Sequence, residues 1–168
     1  KAAGDGLENI EEECEYYDSI LSGNCLLWHH NGKKKEEGAY LKGKHHGSWN
    51  FWHPNGIIYK KATYAQGVLE GGFAQYFSDG KTEIKGQYMN GKKQGNWIWQ
   101  RANGNKDFEG EFKEDTEHGN WTYYYSSGEK ESYGLYKEGK RDSAWIFLYK
   151  TGEKWKEGFY KENVKNGK

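Results

Sequence analysis

The sequence predicts an all-β fold: an array of about six stacked β-hairpins preceded by a short N-terminal cap segment. Three observations predict it. A small residue followed by glycine recurs every 24 residues, at Asn31-Gly32, Asn55-Gly56, Asp79-Gly80, Asn103-Gly104, Ser127-Gly128 and Thr151-Gly152. Only 34% of residues are hydrophobic, yet the chain holds eight tryptophans, 14 tyrosines and seven phenylalanines, so rings must supply most of the core. Its 24 glycines and single proline call for many tight turns and no Pro-rich linker. The mean hydropathy of −1.19 would suit a disordered chain, but disordered segments are poor in aromatics.

Further columns share the period. Six residues after each turn glycine stand Gly38, Ala62, Gly86, Gly110, Gly134 and Gly158, and two residues later Tyr40, Tyr64, Tyr88, Phe112, Tyr136 and Tyr160. Next come Trp49, Phe73, Trp97, Trp121 and Trp145. One unit therefore reads N-G-x5-G-x-Y-x2-G-x3-G-x-W. Asn-Gly between alternating apolar residues is a strong signal for a two-residue type I′ hairpin turn, whose positions both need positive φ. Counting outward from Asn103-Gly104 pairs Ala102 with Asn105, Arg101 with Lys106, Trp99 with Phe108 and Trp97 with Gly110. The same count sets Trp49 opposite Ala62, Phe73 opposite Gly86, Trp121 opposite Gly134 and Trp145 opposite Gly158. A ring facing a small residue is a packing device, and on this count Trp97 covers Gly110.

Alternation assigns the faces. One face carries Trp97, Trp99, Phe108 and Phe112, and the other Asn96, Ile98, Gln100, Asp107, Glu109 and Glu111. An acidic wet face recurs through Glu83, Asp107, Glu109, Glu111, Glu129, Glu131, Glu153 and Glu157, while lysines gather in the linking turns. Residues 1–22 lack the period: the first six read as mobile, and Leu7 to Ile20 as a short helix or irregular cap over the first hairpin. The array then occupies residues 23–168, with Cys25 where later units have tryptophan.

The units "NGNKDFEGEFKEDTEHGNWTYYY" and "DGKTEIKGQYMNGKKQGNWIWQ" resemble the MORN repeat, in its longer bacterial, antitoxin-like form. The resemblance covers roughly Gly23 to Lys168 and rests on G-x-[YF]-x2-G-x3-G-x-W. It departs at Ala62, Phe73, Asp115, Ser143 and Asn163. The resemblance implies an elongated, twisted single-layer antiparallel sheet whose repeats touch mainly their neighbours. It also implies a scaffold for protein assemblies, an association with membrane lipids, or an antitoxin-like role.

Charge narrows these. The chain has 25 basic and 25 acidic residues, which argues against nucleic acid and against lipid headgroups bound through a basic patch. Six histidines invite a metal reading, but His29 and His53 stand two strands apart, about 9.6 Å, too far to share one zinc. A site on the His45-His46 turn is the less favoured alternative, with no fourth ligand in view, and solvated turn histidines are the preferred reading. Glu109 and Glu111 lie about 6.5–7 Å apart, near the spacing of inverting glycosidases, but an open carboxylate-rich face cannot raise an acid's pKa. No nucleophile, phosphate-loop or metalloprotease motif appears. Asn120-Trp121-Thr122 matches a glycosylation sequon around a predicted core residue.

The expectation is therefore a non-catalytic module without cofactor that binds another protein or a second copy of itself. Membrane association is the less favoured reading. The candidate interaction surface is the set of rings on the less buried face: Trp28, Trp52, Tyr59, Tyr76, Tyr124, Tyr133 and Trp155. The alternative is a glycan- or headgroup-binding module, because choline-binding repeats also use glycine-tryptophan hairpins, though at a shorter period. Cys14 and Cys25 could form one bridge in an oxidising compartment, or remain buried thiols. With the absence of an initiator methionine, such a bridge is compatible with an exported or organellar location.

Overall fold

The computed structural model describes residues 11–166, and these form one open antiparallel sheet of 14 strands in sequence order. The strands are β1 (Glu12–Tyr17), β2 (Ile20–Trp28), β3 (Lys34–Leu41), β4 (Lys44–Trp52), β5 (Ile58–Ala65), β6 (Val68–Tyr76) and β7 (Thr82–Met89). They continue as β8 (Lys92–Gln100), β9 (Lys106–Lys113), β10 (Thr116–Tyr124), β11 (Lys130–Lys137), β12 (Lys140–Leu148), β13 (Lys154–Lys161) and β14 (Val164–Lys165). Among the described residues each pairs only with its sequence neighbours, with β1 and β14 first and last in the sheet. Of the expected helix or irregular cap over Leu7 to Ile20, the described part is instead the strand β1, running into a turn and the start of β2. The physical reason is local pairing: Glu12, Glu13 and Cys14 face Leu27, Leu26 and Cys25 in the ladder. The expectation of a mobile Lys1 to Gly6 lies outside the described residues.

The predicted register holds in every unit, with Trp97 opposite Gly110, Trp49 opposite Ala62, Phe73 opposite Gly86, Trp121 opposite Gly134 and Trp145 opposite Gly158. The turn that sets it differs. Gly104 N–H donates to Arg101 C=O and Arg101 N–H to Asn105 C=O, which makes a three-residue loop with only Gly104 at positive φ. Arg101 therefore faces Asn105, and Gln100 faces Lys106; a bulge at Asp107 then restores Trp99 to Phe108. Asn103 serves here by its side chain: its Oδ1 accepts the Asn105 N–H at 3.0 Å, as Asn31, Asn55 and Asp79 do for the residue two ahead. The paired positive φ values of a type I′ turn occur at the linking turns between units, as at Asn90-Gly91 and Glu114-Asp115. Asp115 and Asn163 replace glycine there at φ 67 and 68, a region their short polar side chains tolerate.

Both rims are stitched from unit to unit. Asn31 donates to Pro54 C=O and Asn103 to Ser126 C=O along one rim, while Gly91 N–H donates to Leu69 C=O and Gly139 N–H to Glu117 C=O along the other. The core lies on one face, in a cluster around Trp97, Phe112, Trp121 and Trp145 and a second around Cys25, Trp49 and Phe51.

Candidate functional site

The ring column is built against the preceding strand. A Cβ added at Gly38 would fall under 3.0 Å from Trp49, and likewise Gly86 from Trp97, Gly110 from Trp121 and Gly134 from Trp145. Trp97 is thus opposite Gly110 in the ladder but lies over Gly86, which corrects the expectation that it covers Gly110. The reason is a bulge ahead of each ring: between His118 and Trp121 the pairing to β9 skips two residues, with Gly119 at φ 67. The bulge tips the indole back, and the Trp121 N–H donates to Glu111 C=O at 3.1 Å, beside the covered glycine. Trp49 does the same to Ala39 C=O and Trp145 to Leu135 C=O, whereas the Trp97 N–H is buried without a partner. The tyrosine column stands edge-on to these indoles, with Tyr40 on Trp49, Tyr88 on Trp97 and Tyr136 on Trp145 at 4.9, 5.0 and 5.2 Å between centroids.

The first unit substitutes different chemistry at the same two positions. Cys14 stands 24 residues before Gly38 and Cys25 24 before Trp49, and the two form a disulfide between β1 and β2. No free cysteine remains among the described residues. At the other end Gly158 keeps the glycine, but β14 pairs only with Tyr160 and Lys161. Among the described residues no ring of a following strand covers it, and its own neighbour Tyr160 leans across instead, 3.0 Å from where a Cβ would stand.

The seven aromatics proposed as an interaction surface are not gathered into one patch. Trp28, Trp52, Tyr76 and Tyr124 each end the second strand of a unit, in a row of equivalent positions two strands or about 9.6 Å apart that Gln100 interrupts between Tyr76 and Tyr124. Tyr124 is only 8% exposed, and its hydroxyl donates to Glu109. Tyr59 falls on the core side, its bulge setting it against Phe51. Tyr133 and Trp155 are open, at 40% and 53% exposure, and Trp155 lies against Tyr149 and Lys156.

Burial works against ionisation of Glu109, but the Lys106 ammonium at 2.7 Å and the Tyr124 hydroxyl outweigh it and hold the carboxyl below its usual range. An acid held ionised is the reverse of a general acid. Three further wet-face carboxylates are neutralised in pairs: Glu37 with Lys34, Asp107 with Arg101 and Glu157 with Lys154. Among the described residues no three His, Cys, Asp or Glu side chains gather as a metal site. His45 is no solvated turn residue: its ring packs 3.9 Å from Trp49 and 5.1 Å from Tyr64, and burial lowers its pKa. The alternation could have shown this, since His45 occupies the column of Lys93 and Arg141, whose cations also lie on indoles. No described helix is long and apolar enough to cross a membrane.

The fold and its ring column define the protein as an open β-hairpin repeat array. No protein-family model matches the sequence, and neither does any curated protein.

Proposed function

We propose that the chain is a MORN-type interaction scaffold whose role is to hold another polypeptide. The observation that carries this reading is the division of the aromatics. The periodic rings are consumed by packing over glycine, whereas Tyr16, Tyr17, Tyr133, Tyr149, Trp155 and Phe159 stand exposed and outside that column. Exposed rings that no core consumes are the equipment of a binding surface.

The test is selective retention. The immobilised chain is challenged in parallel with its source extract, a panel of cell-wall glycans, choline resin and anionic vesicles. The scaffold reading expects one or a few stoichiometric polypeptides, lost when Trp155 and Phe159 are replaced by serine. Retention on glycan, choline or vesicles with no polypeptide bound would overturn it.

A further inference from the structure

We infer that Asn120 is the acceptor of an N-linked glycan whose first sugar lies on the wet face against Leu135 and Tyr133. Asn120-Trp121-Thr122 is the one Asn-x-Ser/Thr sequon in the chain. The core tryptophan at its centre looks like an obstacle until the strand is built. Successive residues of β10 point to opposite faces, so Trp121 is buried at 3% exposure while Asn120 and Thr122 share the face behind it. Asn120 is exposed and lies in the bulge of β10: His118 pairs with Glu111 and Trp121 with Gly110, which leaves Gly119 and Asn120 without partners on β9. On β11 Asn120 faces Leu135, and Thr122 faces Tyr133, which is 40% exposed. A sugar on Asn120 therefore has an aliphatic side chain directly opposite and an open ring on the diagonal, both within reach of its apolar side.

Comparison along the repeats separates the sequon from the fold. Asn24 and Asn96 hold the position equivalent to Asn120, so asparagine at this bulge is a feature of the repeat, but Leu26 and Ile98 stand where Thr122 does. The hydroxyl that completes the sequon is peculiar to this unit and serves no repeated packing role. The Cys14–Cys25 bridge belongs to the same kind of oxidising compartment in which secreted chains receive such glycans. In the transfer, the Asn120 amide nitrogen attacks C1 of the first sugar of a polyprenyl-pyrophosphate-linked oligosaccharide. The N–C1 bond forms, the C1–O bond to the pyrophosphate breaks, the lipid pyrophosphate leaves, and the amide proton passes to a base of the transferase. This happens on the extended chain, because in the sheet β10 is already paired on both sides. The folded face has only to hold the product, and Tyr133 then serves the sugar and not a polypeptide partner.

The test is intact mass and peptide mapping of the full chain purified from its own cells. A mass above that of the polypeptide is expected, removed by peptide-N-glycosidase with Asn120 deamidated in the same step. Unmodified Asn120 in that material would overturn the inference. Secreted from a host that holds the transferase, the Asn120→Gln and Thr122→Val chains should each lose the glycan completely, while Thr122→Ser keeps it. Asn120→Gln keeps its fold, since the side chain it replaces is exposed. Thermal melts of the glycosylated chain and of Asn120→Gln then test the placement, with equal or higher stability expected for the glycosylated form. A glycan that survives Thr122→Val, or one that lowers the melting midpoint below that of Asn120→Gln, would also overturn it, the second because the sugar would then not fit the folded face.

Discussion

Ala62 is the ladder partner of Phe73 on the next strand, where the other internal units set a tryptophan over the preceding glycine, so the two departures meet across the ladder. The methyl group added on one strand is matched by the smaller ring on the next. Ala62 is 3% exposed, so the exchange keeps the site closed. At the first unit the same two positions hold the Cys14–Cys25 bridge. Glycine with tryptophan, alanine with phenylalanine and cysteine with cysteine are three solutions to one packing problem between adjacent strands.

Gly110→Val is expected to destabilise the array by about 3 kcal/mol, because its side chain enters the space of the Trp121 ring, and overpacking a close-packed site carries costs of this order. Gly158→Val, which meets only Tyr160, is expected to cost less than about 1 kcal/mol. Urea unfolding of the two variants checks the contrast.

Glu109 bears on folding more than its exposed face suggests. From the sequence, replacing it should hardly matter. In the structure it is the acceptor for the buried Tyr124 hydroxyl, so Glu109→Ala leaves that group unpaired and is expected to cost about 1–2 kcal/mol in the same assay.

Reduction of Cys14–Cys25 is expected to act locally. A bridge spanning 11 residues contributes about 3 kcal/mol in the chain-entropy account, and in a repeat array that loss is confined to the neighbouring strand. Hydrogen exchange after reduction should show β1 unprotected and β9 to β12 unchanged.

His45 gives stability a pH dependence. Burial lowers its folded-state pKa, with Lys60 adding to the effect and Glu36 opposing it, so the unfolded chain binds the proton more readily. The contribution is complete above the unfolded value, about 6.5, and is lost as pH falls below it toward the lowered folded value. His45→Leu, which installs the residue found at the equivalent Leu69, should flatten that slope below about pH 6.5, the unfolded value. Thermal melts across this range measure it.

Period, register and faces were legible because the 24-residue spacing ties turn, small residue and ring together in every unit. The side to which each indole leans was not, since Gly110 is opposite both Trp97 and Trp121 and only the two-residue bulge chooses between them. The turn types exchanged places for a related reason: Asn-Gly suits a type I′ turn, but the Asn103 side chain bonding Asn105 N–H serves a longer loop equally well. Residues 12–17 read as a cap because Cys14 hides the glycine column. Tyr59 and Trp155 moved off their assigned face because each sits at a bulge that alternation does not register.

The central claim is that each ring packs on the glycine before it, and a pair of double-mutant cycles at Gly110 tests it directly. Gly110→Ala is combined with Trp121→Phe, reproducing Ala62 with Phe73, and separately with Trp97→Phe, each measured by urea unfolding. The account predicts that Trp121→Phe relieves most of the Gly110→Ala cost, with a coupling of about 1 kcal/mol or more, while Trp97→Phe adds to it independently. Coupling to Trp97 with additivity at Trp121 would contradict it.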